Sequence, residues 1–272
     1  MEEKRLGQIA LALELQHEVV GVRFLDFKAD YQAASLPEAP KRGSFCFHIR
    51  NAMDGQHYII REGLVSCDYG RYAVGLSKPD PAIAQGRSIQ YCGLCRTNTV
   101  ARQIAQAMQF IDMPVYGIEV GPLREMDQAD IVIIAGFAEA IMRVMQGYAY
   151  QYGAPQNLCF YGNQAMCSDM VSKVYHTNDI NISLLCRGTR IYGRFDKGEL
   201  AAAFPIGMLD GMLDGMIKTI NPVHSAPDKR RILAALDSPD ALGVELDEGY
   251  NYGAGLMEYD ARAACLRKEE RN

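Results

Sequence analysis

Eight cysteines are the residues of this chain best suited to chemistry: Cys46, Cys67, Cys92, Cys95, Cys159, Cys167, Cys186 and Cys265. A thiolate is a nucleophile, a redox centre or a soft metal ligand, so the first question is which of these side chains meet. Cys92 and Cys95 form a Cys-x-x-Cys within "SIQYCGLCRTN", Ser88 to Asn98. A thioredoxin-like site wants that motif after a strand and at the opening of a helix. Cys95 does precede a predicted helix, but "GRSIQY" is a poor core strand and the motif holds no proline. Cys92 and Cys95 are therefore assigned a peripheral or packing role, with redox or ligand duty as the alternative. Cys159, in the apolar "QNLCFYG", reads as a core residue on a strand-like segment. Cys265 lies in the charged tail "ARAACLRKEERN", which frays too readily to hold a ligand.

The other four cysteines fall into a pattern. Twenty residues separate Cys46 from Cys67, and eighteen separate Cys167 from Cys186. Each segment starts at a predicted helix, passes through a turn and an apolar strand, and ends on a cysteine before a glycine-bearing turn, "CDYG" or "CRGTR". The parallel suggests an internal duplication. A cysteine at a helix start is stabilised as thiolate by free N–H groups and the helix dipole. One before a glycine turn has its sulfur near amides able to hydrogen-bond a cluster sulfide. Two such units face to face would offer four thiolates, which select iron–sulfur clusters, zinc or Cu(I) over hard cations. Zinc usually draws its ligands from close Cys-x-x-Cys knuckles, whereas these come singly, so a [4Fe–4S] cluster is expected and Zn is the alternative. Asp68 and Arg71 follow Cys67, and Arg187 and Arg190 follow Cys186; they are candidates to bind an anionic ligand beside the metal, or a solvated face. His17, His48, His57, His176 and His224 show no ligand spacing, although His48 and His176 are near enough in sequence to reach the site.

The elements that must position these residues alternate between helix and strand. Leu6, Ile9, Ala10 and Leu13 recur at helical spacing in residues 3–16, and "EVVGVRFL" (18–25) reads as a strand. A short helix at 46–54 precedes the strand "QHYIIR" (56–61). Thr97 or Asn98 caps a helix that runs to about Phe110, with Pro114 beyond it. "VYGIEV" (115–120) and "DIVIIAG" (130–136) follow as strands, the second apolar enough to be covered on both faces. "FAEAIMRVMQGYAYQYG" is a helix ended by Gly153 and Pro155, followed by a helix near 164–173 and the strand "INISLLC" (180–186). In "GMLDGMLDGM" (207–216) the period of four lines Gly207, Gly211 and Gly215 along one helical stripe, where close packing is preferred over a methionine-rich binding face. The expected fold is α/β, a mixed sheet with helices in two similar half-domains, residues 1–112 and 113–272, joined as one unit.

Composition narrows the function. With 49% hydrophobic residues in 272, a large buried core is available. Net charge is -5, from 28 basic and 33 acidic residues without a basic block, which argues against nucleic acid or an anionic membrane as partner. "MEEKRLGQIALALELQHE" lacks the layout of a secretion signal, and no apolar run spans a bilayer, so the expected location is cytoplasmic. In a reducing compartment, eight cysteines point to catalysis, metal binding or burial rather than disulfides. The dinucleotide, P-loop, zincin and hydrolase signatures are absent from the sequence.

The chain resembles the domain-of-unknown-function 169 family, the ArCR-like proteins of archaea and mostly anaerobic bacteria. The resemblance runs from about residue 18 to residue 206. It rests on "VVGVRFL", Cys46 before a helix, "CDYG", "GPLREM", "ADIVIIAGFAEAIMRVMQGYAYQYG", "GNQAMCSDMV" and "LLCRGTR". Cys46, Cys67, Cys167 and Cys186 fall on the family pattern; "CGLC" does not, and "CDYG" lacks a second glycine often found after that cysteine. The family has no established activity. Its anaerobic setting favours the cluster. Four matching cysteines with no acid–base pair identifiable beside them favour full ligation, and with it electron transfer or an accessory redox role served by a redox partner protein. A cluster-dependent lyase, hydratase or desulfidase acting on a small-molecule ligand is one alternative, and a zinc-stapled small-molecule-binding protein another. A homo-oligomer is open.

Overall fold

The computed structural model describes residues 6–7, 10–78, 80–220 and 227. Six strands form one sheet: β1 (Val20–Leu25), β2 (Tyr58–Ile60), β3 (Gly117–Pro122), β4 (Ile131–Phe137), β5 (Asn181–Ser183) and β6 (Glu199–Pro205). Their order is β2-β3-β1-β4-β6-β5 and every ladder is antiparallel. The parallel component of the expected mixed sheet is confined to two isolated bridges, Glu38 with Ile59 and Gly43 with Val65. The order is symmetric about the β1–β4 pairing: in each half the third strand in sequence lies between the other two. β3, which the expected division at residue 112 assigns to the second half, lies beside β1 and β2.

Both faces of the sheet are covered, which explains the uninterrupted apolar run of β4. Ile131, Ile133 and Ala135 point into one core and Val132 and Ile134 into another, as the two-residue period of a strand requires. β6 alternates likewise, with Ala201 and Ala203 opposite Ala202 and Phe204. The first core is closed by α1 (Phe45–Met53) and by a π-helical turn, Ser168–Ser172, that continues into a helix at Lys173–Thr177. Ser44 starts α1 by accepting the Phe47 amide at 3.1 Å. α2 (Asp68–Ala73) packs at the same core, while α3 (Asn98–Ala107), capped by Thr97, covers a satellite cluster around Met108.

The second core lies under α4 (Ala138–Tyr152) and, after a short helix α5 (Arg187–Tyr192), under α6 (Leu209–Lys218). α4 stops at Gly153, whose φ of 82° an L side chain adopts only under strain. Arg143 is fully buried between α4 and α6, where it donates to the Met216 carbonyl at 2.7 Å and the Thr219 hydroxyl at 2.9 Å, a cation at the C-terminal end of α6. Of the expected glycine stripe, Gly211 and Gly215 serve packing, with Met212 and Met216 buried beside them, whereas Gly207 falls in a 3-10 turn before α6 and packs against nothing. No helix among the described residues is long and apolar enough to cross a membrane.

The expectation held no strand at β6, which lies between β4 and β5 in the sheet; the other differences are local. Residues 6–7 and 10–12 are helical, but the helix expected near 164–173 begins as a π turn and ends later, at Thr177. Cys159 is half-buried in coil rather than on a strand. Its amide donates to Asn181 Oδ1 at 2.8 Å and its carbonyl accepts from Asn181 Nδ2 at 3.0 Å, so a side chain supplies the pairing that a neighbouring strand would. Cys265 and His224 lie outside the described residues.

A Cβ on Gly215 would stand 2.1 Å from the Gly147 carbonyl oxygen of α4, whereas one on Gly207 would meet nothing within 4 Å. Gly215→Ala should therefore cost roughly 1–3 kcal/mol in urea unfolding through overpacking, and Gly207→Ala should leave the midpoint within experimental error. Equal effects at the two positions would remove the helix crossing from the account.

Candidate functional site

Cys46, Cys67, Cys167 and Cys186 line one cavity of about 810 Å³. Each stands at the start of a helical segment. Cys46 is the second residue of α1, Cys67 and Cys186 are the N-caps of α2 and α5, and Cys167 is the N-cap of the π turn. Helices thus follow Cys67 and Cys186 directly, where glycine turns were expected. At "CRGT" the cysteine itself caps the helix, the Thr189 amide donating to Cys186 Sγ at 3.4 Å; Cys67 takes the same N-cap place at "CDYG" without a side-chain capping bond.

Thr189 ties the two halves together at this point. Its side chain is fully buried; its hydroxyl donates to Cys46 Sγ at 3.0 Å and stands 3.2 Å from Cys186 Sγ. Cys186 is aimed by a strained neighbour, since Leu185 is buried with φ of 60°, a left-handed conformation that costs a branched side chain energy. The Ser183 hydroxyl holds that turn by accepting the Leu185 amide at 3.1 Å, while it donates to Asp169 Oδ2 at 2.7 Å. Asn181 reaches the Asp169 carbonyl at 2.9 Å, and Ser172 donates to the Met108 carbonyl at 2.9 Å. The π turn that carries Cys167 is thereby pinned to β5 and to the segment after α3.

The electrostatics of the thiols follow from burial and company. Desolvation pushes the Cys46 thiol up to about 12, with the nearby Cys186 and Cys67 adding to the effect and the Thr189 hydrogen bond opposing it. Cys167 is raised well above the ordinary cysteine range by burial, then by Cys46, Cys67 and Cys186. Cys67 is exposed as a residue, yet desolvation at its sulfur still raises it. Burial, with the neighbouring thiols adding to it, therefore favours the protonated form at Cys46, Cys67 and Cys167.

The remaining candidates are placed elsewhere. Arg190 is committed to backbone, donating to the carbonyls of Leu184 at 2.8 Å, Glu199 at 3.2 Å and Asp196. Asp68 pairs with Arg71 on the surface of α2, and Arg187 is exposed on α5; none of these four residues lines the cavity. His48 is fully buried between the Tyr58 hydroxyl at 3.1 Å and the Leu64 carbonyl at 3.1 Å, and burial lowers its pKa. His176 meets the Phe110 carbonyl at 3.2 Å. Cys92 is exposed but does line the cavity, whereas Cys95 packs against the satellite cluster. Sequence reasoning missed Thr189 and the walls Phe47, Tyr69 and Tyr192. The Cys-x-x-Thr of "CRGT" was the available signal, because its spacing is that of a capping box.

A family model described as DUF169, Uncharacterised ArCR, matches residues 8–215, a span that includes every residue lining the cavity. The chain is similar to an uncharacterized protein of Methanocaldococcus jannaschii, MJ0308, with 27% identity over 152 residues. The match covers 55% of this chain and 65% of that relative, just under two thirds of its length. No solved structure matches the chain.

Replacing Thr189 with valine removes the shared hydroxyl but keeps its shape. Thr189→Val should lower stability by about 1–2 kcal/mol in urea unfolding, and Thr189→Ser should retain most of it. Indifference to both changes would mean that the hydroxyl does not join the halves.

Proposed function

We propose, from the premise that the chain belongs to the DUF169 (Uncharacterised ArCR) family, that Cys46, Cys67, Cys167 and Cys186 hold a [4Fe–4S] cluster in a cytoplasmic electron-transfer or redox-accessory protein. One observation carries the reading: four soft donors, from four separate elements in both halves of the sheet, border one cavity. The donor set fits the group, being all thiol with no carboxylate on that wall. Four sulfurs on a single zinc stand about 3.8 Å apart, given Zn–S bonds of about 2.3 Å in a tetrahedron. Among the described residues no three His, Cys, Asp or Glu side chains gather as one ion requires, and the four cysteines come singly rather than in the close Cys-x-x-Cys knuckles usual for zinc.

When bound, such a cluster would supply a one-electron couple. The chain's own residues would tune and protect it. Cys46 and Cys167, both buried, keep water from the inner side. The Thr189 hydroxyl donates toward Cys46 and the Thr189 amide toward Cys186, which stabilises thiolate and raises a reduction potential. Cys67, exposed, marks the side that a redox partner protein would approach. A second reading, a cluster-dependent lyase, hydratase or desulfidase, is supported by the space in front of the sulfurs, which electron transfer alone does not need. A zinc-stapled binding protein is the third.

Protein purified without oxygen should be brown and carry about four iron and four acid-labile sulfide per chain. Serine at Cys46, Cys67, Cys167 or Cys186 should each strip the iron and lower stability, since metal binding is coupled to folding. The Cys92→Ser/Cys95→Ser double variant should keep its iron, although Cys92 borders the same cavity. A colourless protein with stoichiometric zinc, or iron lost only from the Cys92/Cys95 variant, would sink the reading.

A further inference from the structure

The space beside the four sulfurs is far larger than an inorganic cube needs, and its charge has one sign. At about 810 Å³ it falls within the roughly 300–1,000 Å³ of small-molecule sites. Among its lining residues Lys41 and Arg42 are the charged ones, and Asp and Glu are missing from the wall. Both cations are exposed, and among the described residues neither enters an ion pair. Lys41 is also held in place: its ammonium lies 4.9 Å from the centroid of Phe47, a ring that the Arg194 guanidinium approaches at 5.8 Å. The rest of the wall is mainly apolar, and part of it faces water. Tyr192 is 67% exposed and Leu94 53%, side chains whose apolar surface gains from cover.

We propose that this cavity binds an apolar carboxylate, an organic anion whose head meets Lys41 and Arg42 and whose hydrocarbon body lies against Phe47, Tyr69, Leu94 and Tyr192. The cationic rim selects the head by charge complementarity, and the lining offers no carboxylate to pair with the positive group of an organic cation or zwitterion. The apolar wall supplies affinity through area removed from water. The proposal deepens the cluster reading, and rests on it for the chemistry at the sulfurs but not for binding itself. It favours a small molecule, rather than a protein surface, as what meets the cysteine wall.

The test is titration calorimetry of the full chain, purified without oxygen, with iron measured in each sample. The probes are phenylacetate, its neutral isostere phenylacetamide, and hexanoate as an aliphatic acid. Phenylacetate or hexanoate should bind, and phenylacetate should bind about tenfold more tightly than the amide. Lys41→Ala/Arg42→Ala should abolish that preference while iron content stays at the parent value. Leu94→Ala/Tyr192→Ala should weaken acid and amide alike. Failure of both acids to bind, equal binding of phenylacetate and its amide, or a preference that survives the loss of both cations would overturn the proposal. Iron-replete protein without the preference would remove this site and leave the cluster; iron-free protein that still prefers the acid would do the reverse.

Discussion

Three residue pairs, Val20 with Ile133, Gly21 with Val132 and Val22 with Ile131, join β1 to β4 and so join the two halves of the sheet. Everything at the cavity depends on that short ladder. It sets the distance between α1, which carries Cys46, and the π turn and α5, which carry Cys167 and Cys186. Gly21 sits in the seam because a Cβ there would stand 2.5 Å from Met126 Sδ and 3.0 Å from Leu123, whose segment closes over the strand. A register shift of one residue would turn Ile131 and Ile133 out of the cysteine-side core and dismantle both layers at once.

The site itself is a compromise between burial and charge. Burial fixes the sulfurs, and for that reason makes thiolates costly; Cys46 and Cys167 feel this most, with neighbours of the same potential charge. A hydrogen bond from the Thr189 hydroxyl relieves part of the cost at Cys46. A strained Leu185 and a braced π turn are the structural counterpart, since the surrounding bonds hold conformations that the local sequence would not choose.

Much of this was legible in the sequence. The apolar run of β4, the caps at Thr97 and Gly153 and the close packing of Gly215 each follow from local chemistry, which a sequence carries directly. The grouping of Cys46, Cys67, Cys167 and Cys186 could be read because the two segments have similar spacing and local pattern and the four positions fall on the family resemblance. What was not legible depends on tertiary context. Arg190 sits beside Cys186 in sequence, yet its guanidinium turns to three backbone carbonyls, one of them on β6. Cys159 lies in an apolar run that looks like a strand, but Asn181 takes the hydrogen bonds a strand partner would have offered. Cys92 looked peripheral by motif and still borders the cavity, because the turn after a short helix at Arg87–Tyr91 brings it there.

The division of the cysteines between halves also has a temporal side. Cys46 and Cys67 leave the ribosome about a hundred residues ahead of Cys167, an interval of roughly 5–20 s at ordinary translation speeds. During it the N-terminal sulfurs lack Thr189, Cys186 and the π turn, the groups that bury and shield them in the finished molecule. β1 likewise waits with an open edge until β4 is made. The nascent chain is therefore most vulnerable to oxidation and to mispairing midway through its synthesis, and a product cut short before Cys186 would keep both hazards for good.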